Sequence, residues 1–145
     1  MFANLTWGRR AEAVHALIGE ARGPLVVLEA LPLARVLAER GAKPVLVSHR
    51  PATLRRWPGE GLRAEGERLP LESASVDVLV VTDPWPSPPD EWLRVLADGG
   101  RLISLAPEER TEATRRALCA GLVDLTQRPA GRMHITCGRW RRLAI

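Results

Sequence analysis

A short apolar run that passes directly into a helical pattern constrains this chain more than any other feature. Residues 24–30 are apolar except for Glu29, as expected of a strand that is buried on both faces. Residues 33–40 follow with apolar side chains at helical spacing and end at Gly41. A buried strand followed at once by a helix is the first part of a βαβ unit, whose two strands lie parallel in one sheet.

Strand-like and helix-like segments alternate along the rest of the chain. The predicted helices cover residues 11–21, with Val14, Leu17, Ile18 and Ala21 on the apolar stripe, and residues 51–57, 90–97 and 108–122. Asp90 is the predicted N-cap of the third of these helices, and Gly99-Gly100 is its predicted C-terminal turn.

The remaining strands have short apolar or alternating patterns, and they are predicted at 43–48, 62–64, 75–82 and 101–107. An antiparallel hairpin is predicted to close the chain, with strands 122–128 and 132–138 and a loop at 129–131. Four prolines exclude regular structure at 83–89. The order predicts an α/β fold, a three-layer αβα sandwich with a mostly parallel, Rossmann-like sheet and a C-terminal antiparallel hairpin.

Length and composition indicate one globular domain that spans residues 1–145. The chain is 46% hydrophobic and 26% charged, which excludes an intrinsically disordered protein. Neither a membrane-spanning run of about 20 apolar residues nor the apolar core of a signal peptide is present. We therefore expect a cytoplasmic protein with no membrane partner.

The cysteines and the basic residues bear on metal binding and on nucleic-acid binding. Cys119 and Cys137 are predicted to be buried small side chains, and His134 with Cys137 supplies too few ligands for zinc, so no metal site is expected. The net charge is +4, and all basic residues except Lys43 are arginine. This excess fits a solvated surface or a nucleic-acid interface.

Three stretches of the sequence resemble the class I S-adenosylmethionine-dependent methyltransferases. VVLEALPLARVLAERGAKPVLVS resembles the first strand, loop, helix and second strand of that fold. ERLPLESASVDVLVV (67–81) resembles the segment around its fourth strand, and EWLRVLADGGRLISLAP (91–107) resembles its leucine-rich helix, glycine pair and fifth strand. The resemblance covers about residues 24–138 and implies a seven-stranded sheet whose last strand is antiparallel.

The same resemblance implies a cofactor site at Glu29, Leu31, Ser48, His49 and Glu65. Glu29 matches the acid that ends the first strand, and Glu65 matches an acid near the adenine. Glycines of the family's loop are replaced by Leu31, Leu33 and Arg35, and the ribose-binding acid falls at Ser48 or His49. Glycine allows close approach of a ligand to a helix N-terminus, whereas leucine places a branched side chain there. Loss of a carboxylate contact weakens binding by roughly 1.5–3 kcal/mol.

Asp83 and Trp85 are the candidate catalytic residues if the protein is active. Asp83-Pro84-Trp85-Pro86 resembles the Asp-Pro-Pro-aromatic signature of amino-group methyltransferases, with Trp85 in place of the second proline. The alternative is a proline-stiffened loop whose tryptophan packs on the sheet or binds a partner.

Two basic and aromatic segments are candidate interaction surfaces. Residues 138–145, with Trp140 among arginines, fit a packed edge strand, a protein partner or a nucleic acid. Arg55-Arg56-Trp57 repeats the combination, and the partner hypothesis gains if both segments share a face. His15 is predicted to be a packed histidine, whereas His49 lies at the strand end where ligands of such sheets bind.

These observations lead to three hypotheses. The first is a degenerate, non-catalytic methyltransferase-like protein that uses no cofactor and serves as a binding, scaffold or regulatory subunit with a protein partner or a second copy. The second is an active S-adenosylmethionine-dependent methyltransferase with an atypical loop. The third is a small nucleic-acid-binding module that uses the Arg/Trp surfaces.

Overall fold

The computed structural model describes residues 2–19, 23–82, 88–107, 109, 112 and 121–141. The helices are α1 (Phe2–Ile18), α2 (Leu31–Glu39), α3 (Pro51–Arg55) and α4 (Pro89–Val95). The strands are β1 (Leu25–Leu28), β2 (Val45–Ser48), β3 (Gly61–Arg63), β4 (Val76–Thr82), β5 (Leu96–Pro107), β6 (Leu122–Ala130) and β7 (Met133–Trp140).

The strands form one seven-stranded sheet in the order β3-β2-β1-β4-β5-β7-β6. The first five strands of that order are parallel, and β7 is antiparallel to both β5 and β6. The predicted fold class, a mostly parallel sheet with a C-terminal antiparallel hairpin, is confirmed. The carboxyl ends of β1, β2 and β3 meet at one edge of the sheet, where the sequence places Glu29, Ser48 and His49.

Both faces of the central strands are buried, which explains their continuous apolar runs. Every residue of β1 is buried, and alternate residues contribute to two cores. The first core lies under α1 and α2 and includes Val27 and Leu33. The second core lies on the opposite face and includes Val26 and the fully buried Trp92 of α4.

The start of α1 and the cap of α4 differ from the prediction. α1 begins at Phe2, nine residues before the predicted start. The prediction missed its first turns because their sequence lacks the regular apolar spacing of a helix with a buried face. The N-cap of α4 is Pro88 and not Asp90, which lies in the first turn. The first helical residue is Pro89, and proline is compatible with that position because the N–H there would have no partner in the helix.

Gly99-Gly100 is not a helix C-terminal turn but part of β5, so this prediction is wrong. β5 pairs with β4 through a bulge, because Val76 pairs with Leu96 while Val78 pairs with Arg101. Gly99 has φ +80°, and a Cβ on Gly100 would lie 2.8 Å from the Ala97 carbonyl oxygen. The bulge therefore requires both glycines.

The hairpin loop is shorter than predicted, and the last strand is not the sheet edge. β6 includes Pro129 and Ala130, so that only Gly131 and Arg132 connect it to β7. Proline is tolerated because β6 is the edge strand, where one row of N–H groups has no ladder partner. β7 lies between β5 and β6.

Side-chain hydrogen bonds of α4 hold the non-helical segment between β3 and β4. Glu91 accepts a hydrogen bond from the Leu69 amide (2.9 Å), and Arg94 donates to the carbonyl oxygens of Leu69 (3.2 Å) and Leu71 (3.0 Å). The Arg94 guanidinium also pairs with Glu91 at 2.6 Å. The pKa of Glu91 is lowered, mainly by its hydrogen bond with Arg94.

Arg101 of β5 fixes the end of α1 to the sheet. Its guanidinium donates hydrogen bonds to the carbonyl oxygens of Leu17 (2.6 Å) and Ile18 (3.0 Å), which have no partner within the helix. Most of the helix predicted at 108–122 lies outside the described residues. In the part of the chain that is described, the helices are too short or too polar to cross a membrane.

Candidate functional site

The candidate site lies where β1 and β2 end, and Glu29 is at its centre. Glu29 follows β1 and has φ +64°, a left-handed conformation that a residue other than glycine adopts at a cost of about 1 kcal/mol or more. Its amide donates to the Val47 carbonyl oxygen of the neighbouring strand at 2.9 Å. The backbone is thus held in the conformation that turns the chain from β1 into α2.

Both carboxylate oxygens of Glu29 accept hydrogen bonds from the end of β2. Ser48 Oγ donates to Oε2 at 2.8 Å. The His49 amide and His49 Nδ1 both lie against Oε1, at 2.6 and 2.9 Å. Ser48 is fully buried, and its hydroxyl oxygen also accepts the Arg50 amide at 3.0 Å, so the end of β2 is tied to β1.

The other ring nitrogen of His49 continues this network to the loop after β3. His49 Nε2 lies 2.8 Å from the Gly66 carbonyl oxygen. A carbonyl and a carboxylate are both acceptors, so each ring nitrogen must donate, which only the imidazolium can do. The pKa of His49 is accordingly raised, first by the hydrogen bond to Gly66 and then by Glu29, against a lowering from burial. We call the set of Glu29, Ser48, His49 and the Gly66 carbonyl the Glu29–His49 strap.

Helix α2 begins two residues after Glu29, without a glycine loop. Leu31 is its first residue, and Leu31 and Leu33 are buried in the core under α1. The Leu31 amide donates to the Glu29 carbonyl oxygen at 3.2 Å, and Pro32 has no N–H to offer. The leucines at the glycine positions are therefore core residues, and the helix N-terminus has few unused donors.

The remaining candidate residues lie beside the strap or outside the described chain. Glu65 is exposed and precedes Gly66 on the loop after β3, and its backbone forms a bridge with Arg68. The structure brings together Glu29, Ser48 and His49, and Glu65 directly precedes Gly66 of the strap along the chain. Asp83 and Trp85 lie outside the described residues.

The strap contains one partner that sequence patterns missed. The Gly66 carbonyl oxygen is a backbone group, and no residue type marks it as an acceptor for a histidine. Its only signal is glycine in the Ala64-Glu65-Gly66 loop, where Gly66 has φ +64°.

The two basic and aromatic segments do not share a face of the sheet. Trp57 packs in the core under α1 and α2, whereas Trp140 packs against the core of the opposite face and against Gly121. They also lie at opposite ends of the strand order, near β3 and β6. The condition that would have favoured a shared interface is not met.

The remaining histidine and cysteine predictions concern packed side chains. His15 is half-buried on α1. Cys137 is a half-buried free thiol whose pKa is raised by burial, and Cys119 lies outside the described residues. Among the residues that the structure describes, no group of three or more His, Cys, Asp or Glu side chains is arranged to hold a metal ion.

Solved structures with the same fold include S-adenosylmethionine-dependent methyltransferases and proteins assigned to that class. A candidate methyltransferase of Methanococcus maripaludis has a TM-score of 0.77 and 11% identity, with 97% of this chain and 87% of that chain covered. A candidate histamine N-methyltransferase of Thermotoga maritima has a TM-score of 0.70 and 18% identity, with 95% and 89% covered.

A third neighbour comes from a complex between a methyltransferase activator of Haloferax volcanii and its candidate methyltransferase. Its TM-score is 0.70 at 15% identity, and the match covers 96% of each chain. No protein-family model and no curated protein matches the sequence. The chain has a class I methyltransferase-like fold, and identities this low establish the fold alone.

Proposed function

We propose that this protein is a methyltransferase-like protein that does not transfer methyl groups and acts as a binding or regulatory subunit. The observation that carries the proposal is the Glu29–His49 strap, which uses the polar groups at the ends of β1 and β2 for contacts within the chain. The fold and its solved neighbours indicate S-adenosylmethionine as the cofactor to test against these residues.

The residues at the end of β2 do not fit the ribose of that cofactor. A ribose-binding acid would have to stand at Ser48 or His49, and neither is acidic. The Ser48 hydroxyl is buried and bonded to Glu29, and the His49 ring is bonded at both nitrogens. A ligand that displaced the ring would forfeit one or two charge-assisted hydrogen bonds, each worth about 1.5–3 kcal/mol. Each 1.4 kcal/mol lowers affinity about tenfold.

The start of α2 does not fit the methionine part either. Close approach of a ligand to a helix N-terminus needs glycine and free N–H groups. Here Leu31 and Leu33 are buried, the Leu31 amide is bonded to Glu29, and Pro32 has no donor. The residues present therefore support a protein that is stable without the cofactor.

A role through contacts with another protein is the part of the proposal that the neighbours support by analogy. The Haloferax volcanii neighbour comes from a complex with a methyltransferase activator, so a chain of this fold occurs in a two-protein assembly. We extend only the kind of role to this chain, and a second copy of the chain remains an alternative partner.

Isothermal titration calorimetry with S-adenosylmethionine and S-adenosylhomocysteine tests the proposal. We expect no saturable heat up to about 1 mM ligand, a concentration that corresponds to about −4 kcal/mol of binding. An active methyltransferase of the same fold is the positive control, and a cooperative thermal transition shows that the sample is folded. A dissociation constant in the micromolar range would contradict the proposal and make Asp83→Ala and Trp85→Ala the next variants for an activity assay.

A further inference from the structure

One end of the sheet carries a marked excess of positive charge. Residues 35–63 contain seven basic and two acidic side chains, a net charge of +5, whereas the whole chain carries +4. These residues form most of α2, then β2, α3 and β3, and β3 is the edge strand on that side. Arg40 pairs with Glu12 of α1 at 3.2 Å and His49 with Glu29 at 2.9 Å, and among the described residues no ion pair is seen for the other basic side chains of this region.

A groove of about 760 Å³ opens in this basic region, on the side of the sheet where β2 and β3 begin. Apolar groups line it, and they come from the end of α2, the segment before β2 and the segment before β3: Ala38, Ala42, Pro44, Trp57 and Pro58. We call it the α2–β3 groove. It is separate from the Glu29–His49 strap, which lies where β2 and β3 end.

The groove is held in shape by contacts within the chain. Trp57 Nε1 donates to the Glu60 carbonyl oxygen at 2.8 Å, and a Cβ on Gly59 would lie only 2.7 Å from the Trp57 ring. Arg35 donates from Nη2 to the Arg56 carbonyl oxygen at 3.0 Å, which links α2 to the end of α3. A preformed groove loses little conformational entropy when it is occupied.

The chemistry of the groove and its surroundings favours a protein segment over a nucleic acid. Sequence-tolerant binding of single strands needs exposed aromatic faces for stacking, and Trp57 is only 7% exposed. An apolar floor instead fits a bulky apolar side chain. Arg35 and Lys43 line the groove, and Arg55 and Arg56 directly precede its Trp57 along the chain; all four are exposed cations that fit carboxylates. Glu39 and Glu60 also line the groove, so its charge pattern fits an occupant whose carboxylates are separated by an apolar side chain better than an unbroken anionic phosphate backbone.

We propose that the α2–β3 groove docks an acidic protein segment. An apolar side chain of the segment, with carboxylates of the segment on either side of it, inserts into the groove. The inference deepens the proposed role as a binding subunit and rests on it. Arg55 and Arg56 at the end of α3 steer the segment, and the apolar floor anchors it. This assigns a partner chemistry to a surface that lies away from the Glu29–His49 strap.

Fluorescence anisotropy with a labelled acidic peptide that has a central leucine pair tests the proposal. We expect saturable binding that weakens as salt rises. Lys43→Glu with Arg56→Glu should weaken binding about tenfold or more, and Ala38→Trp, which fills the groove, should abolish it. Arg128→Glu with Arg139→Glu makes the same change of charge on β6 and β7 and should weaken binding less than about threefold.

Two further probes make the test specific. The same peptide with serine in place of the leucines should bind at least about tenfold more weakly, because the apolar anchor is lost. No saturable binding of the acidic peptide, equal loss in the control variant, or tighter binding of a single-stranded oligonucleotide would overturn the proposal. The titration with S-adenosylmethionine reports on the other end of the strands, so failure of the docking proposal and failure of the non-catalytic assignment are read separately.

Discussion

Replacing His49 by alanine should lower stability, and the loss should be larger in mild acid than in mild base. The variant loses the hydrogen bonds from the ring to Glu29 and to the Gly66 carbonyl oxygen, each worth up to about 1.5–3 kcal/mol when the donor is charged. The full value does not apply, because Glu29 keeps the Ser48 hydroxyl and the backbone amide of residue 49 as donors.

Solvent lowers the cost further. The side chains of His49 and Glu29 are 26% and 22% exposed, so that water can replace part of what is lost. We therefore expect about 1 kcal/mol for each bond, or about 2 kcal/mol in total. In a chain of this length that corresponds to a fall of roughly 4–8 °C in the melting temperature.

The pH dependence follows from the raised pKa of His49. A group whose pKa is higher in the folded state than in the unfolded state stabilises the fold fully below its unfolded pKa, near 6.5. That stabilisation is lost as pH rises through the folded pKa. The difference in unfolding free energy between wild type and His49→Ala should thus be largest below about pH 6 and should shrink as pH rises.

Urea unfolding of both proteins at several pH values, followed by circular dichroism, measures this difference. His134→Ala is the matched control, because His134 is also half-buried but lies on β7, outside the strap. A difference that stays constant or grows with pH would refute the reasoning, since it would mean that the ring is not held as an imidazolium.

Three other contacts are tested by urea or thermal unfolding of variants. Arg94→Met should lower the free energy of unfolding by about 2–3 kcal/mol, because it removes the hydrogen bonds to the segment before β4 and leaves Glu91 without its cation. The loss should shrink in acid, because the pKa of Glu91 is lowered in the folded protein and its stabilising effect disappears as pH falls. A loss below about 0.5 kcal/mol at neutral pH would contradict the role of this contact. Gly100→Ala should lower the free energy of unfolding by about 2 kcal/mol or more, because the new Cβ would meet three carbonyl oxygens. Gly8→Ala on α1 is the control: its Cβ has open space, and the change should stabilise the helix by about 0.5–1 kcal/mol. Equal effects of the two changes would contradict the bulge geometry. Arg101→Leu should cost about 1–2 kcal/mol through the lost cap of α1, and an unchanged melting temperature would count against that cap.

The fold could be predicted because its signals are local and periodic. The buried strands are continuous apolar runs, as at residues 25–28 and 78–81, and the helices between them have apolar side chains at helical spacing. Alternation of the two then leaves few topologies for a parallel sheet. The errors lie at boundaries, where tertiary contacts decide: Gly99-Gly100 has the composition of a helix end, yet strand pairing with β4 draws it into a bulge.

The candidate site could be predicted only in part. The position of Glu29, Ser48 and His49 at adjacent strand ends follows from the parallel topology, so their proximity could be expected. Their hydrogen bonding to one another could not be predicted, because it depends on the φ of +64° at Glu29 and on the carbonyl oxygen of Gly66 in the loop after β3. The α2–β3 groove joins segments that are apart in sequence, and no motif marks it.

The most direct test of the central claim is a long-range ¹H–¹⁵N correlation spectrum of the histidine rings, recorded with and without S-adenosylhomocysteine. We predict that His49 has both ring nitrogens protonated at neutral pH and that about 1 mM ligand leaves its signals unchanged, because the strap already uses both nitrogens. A neutral His49 ring, or signals that move in a saturable way with the ligand, would contradict it and show that this edge of the sheet still binds the cofactor.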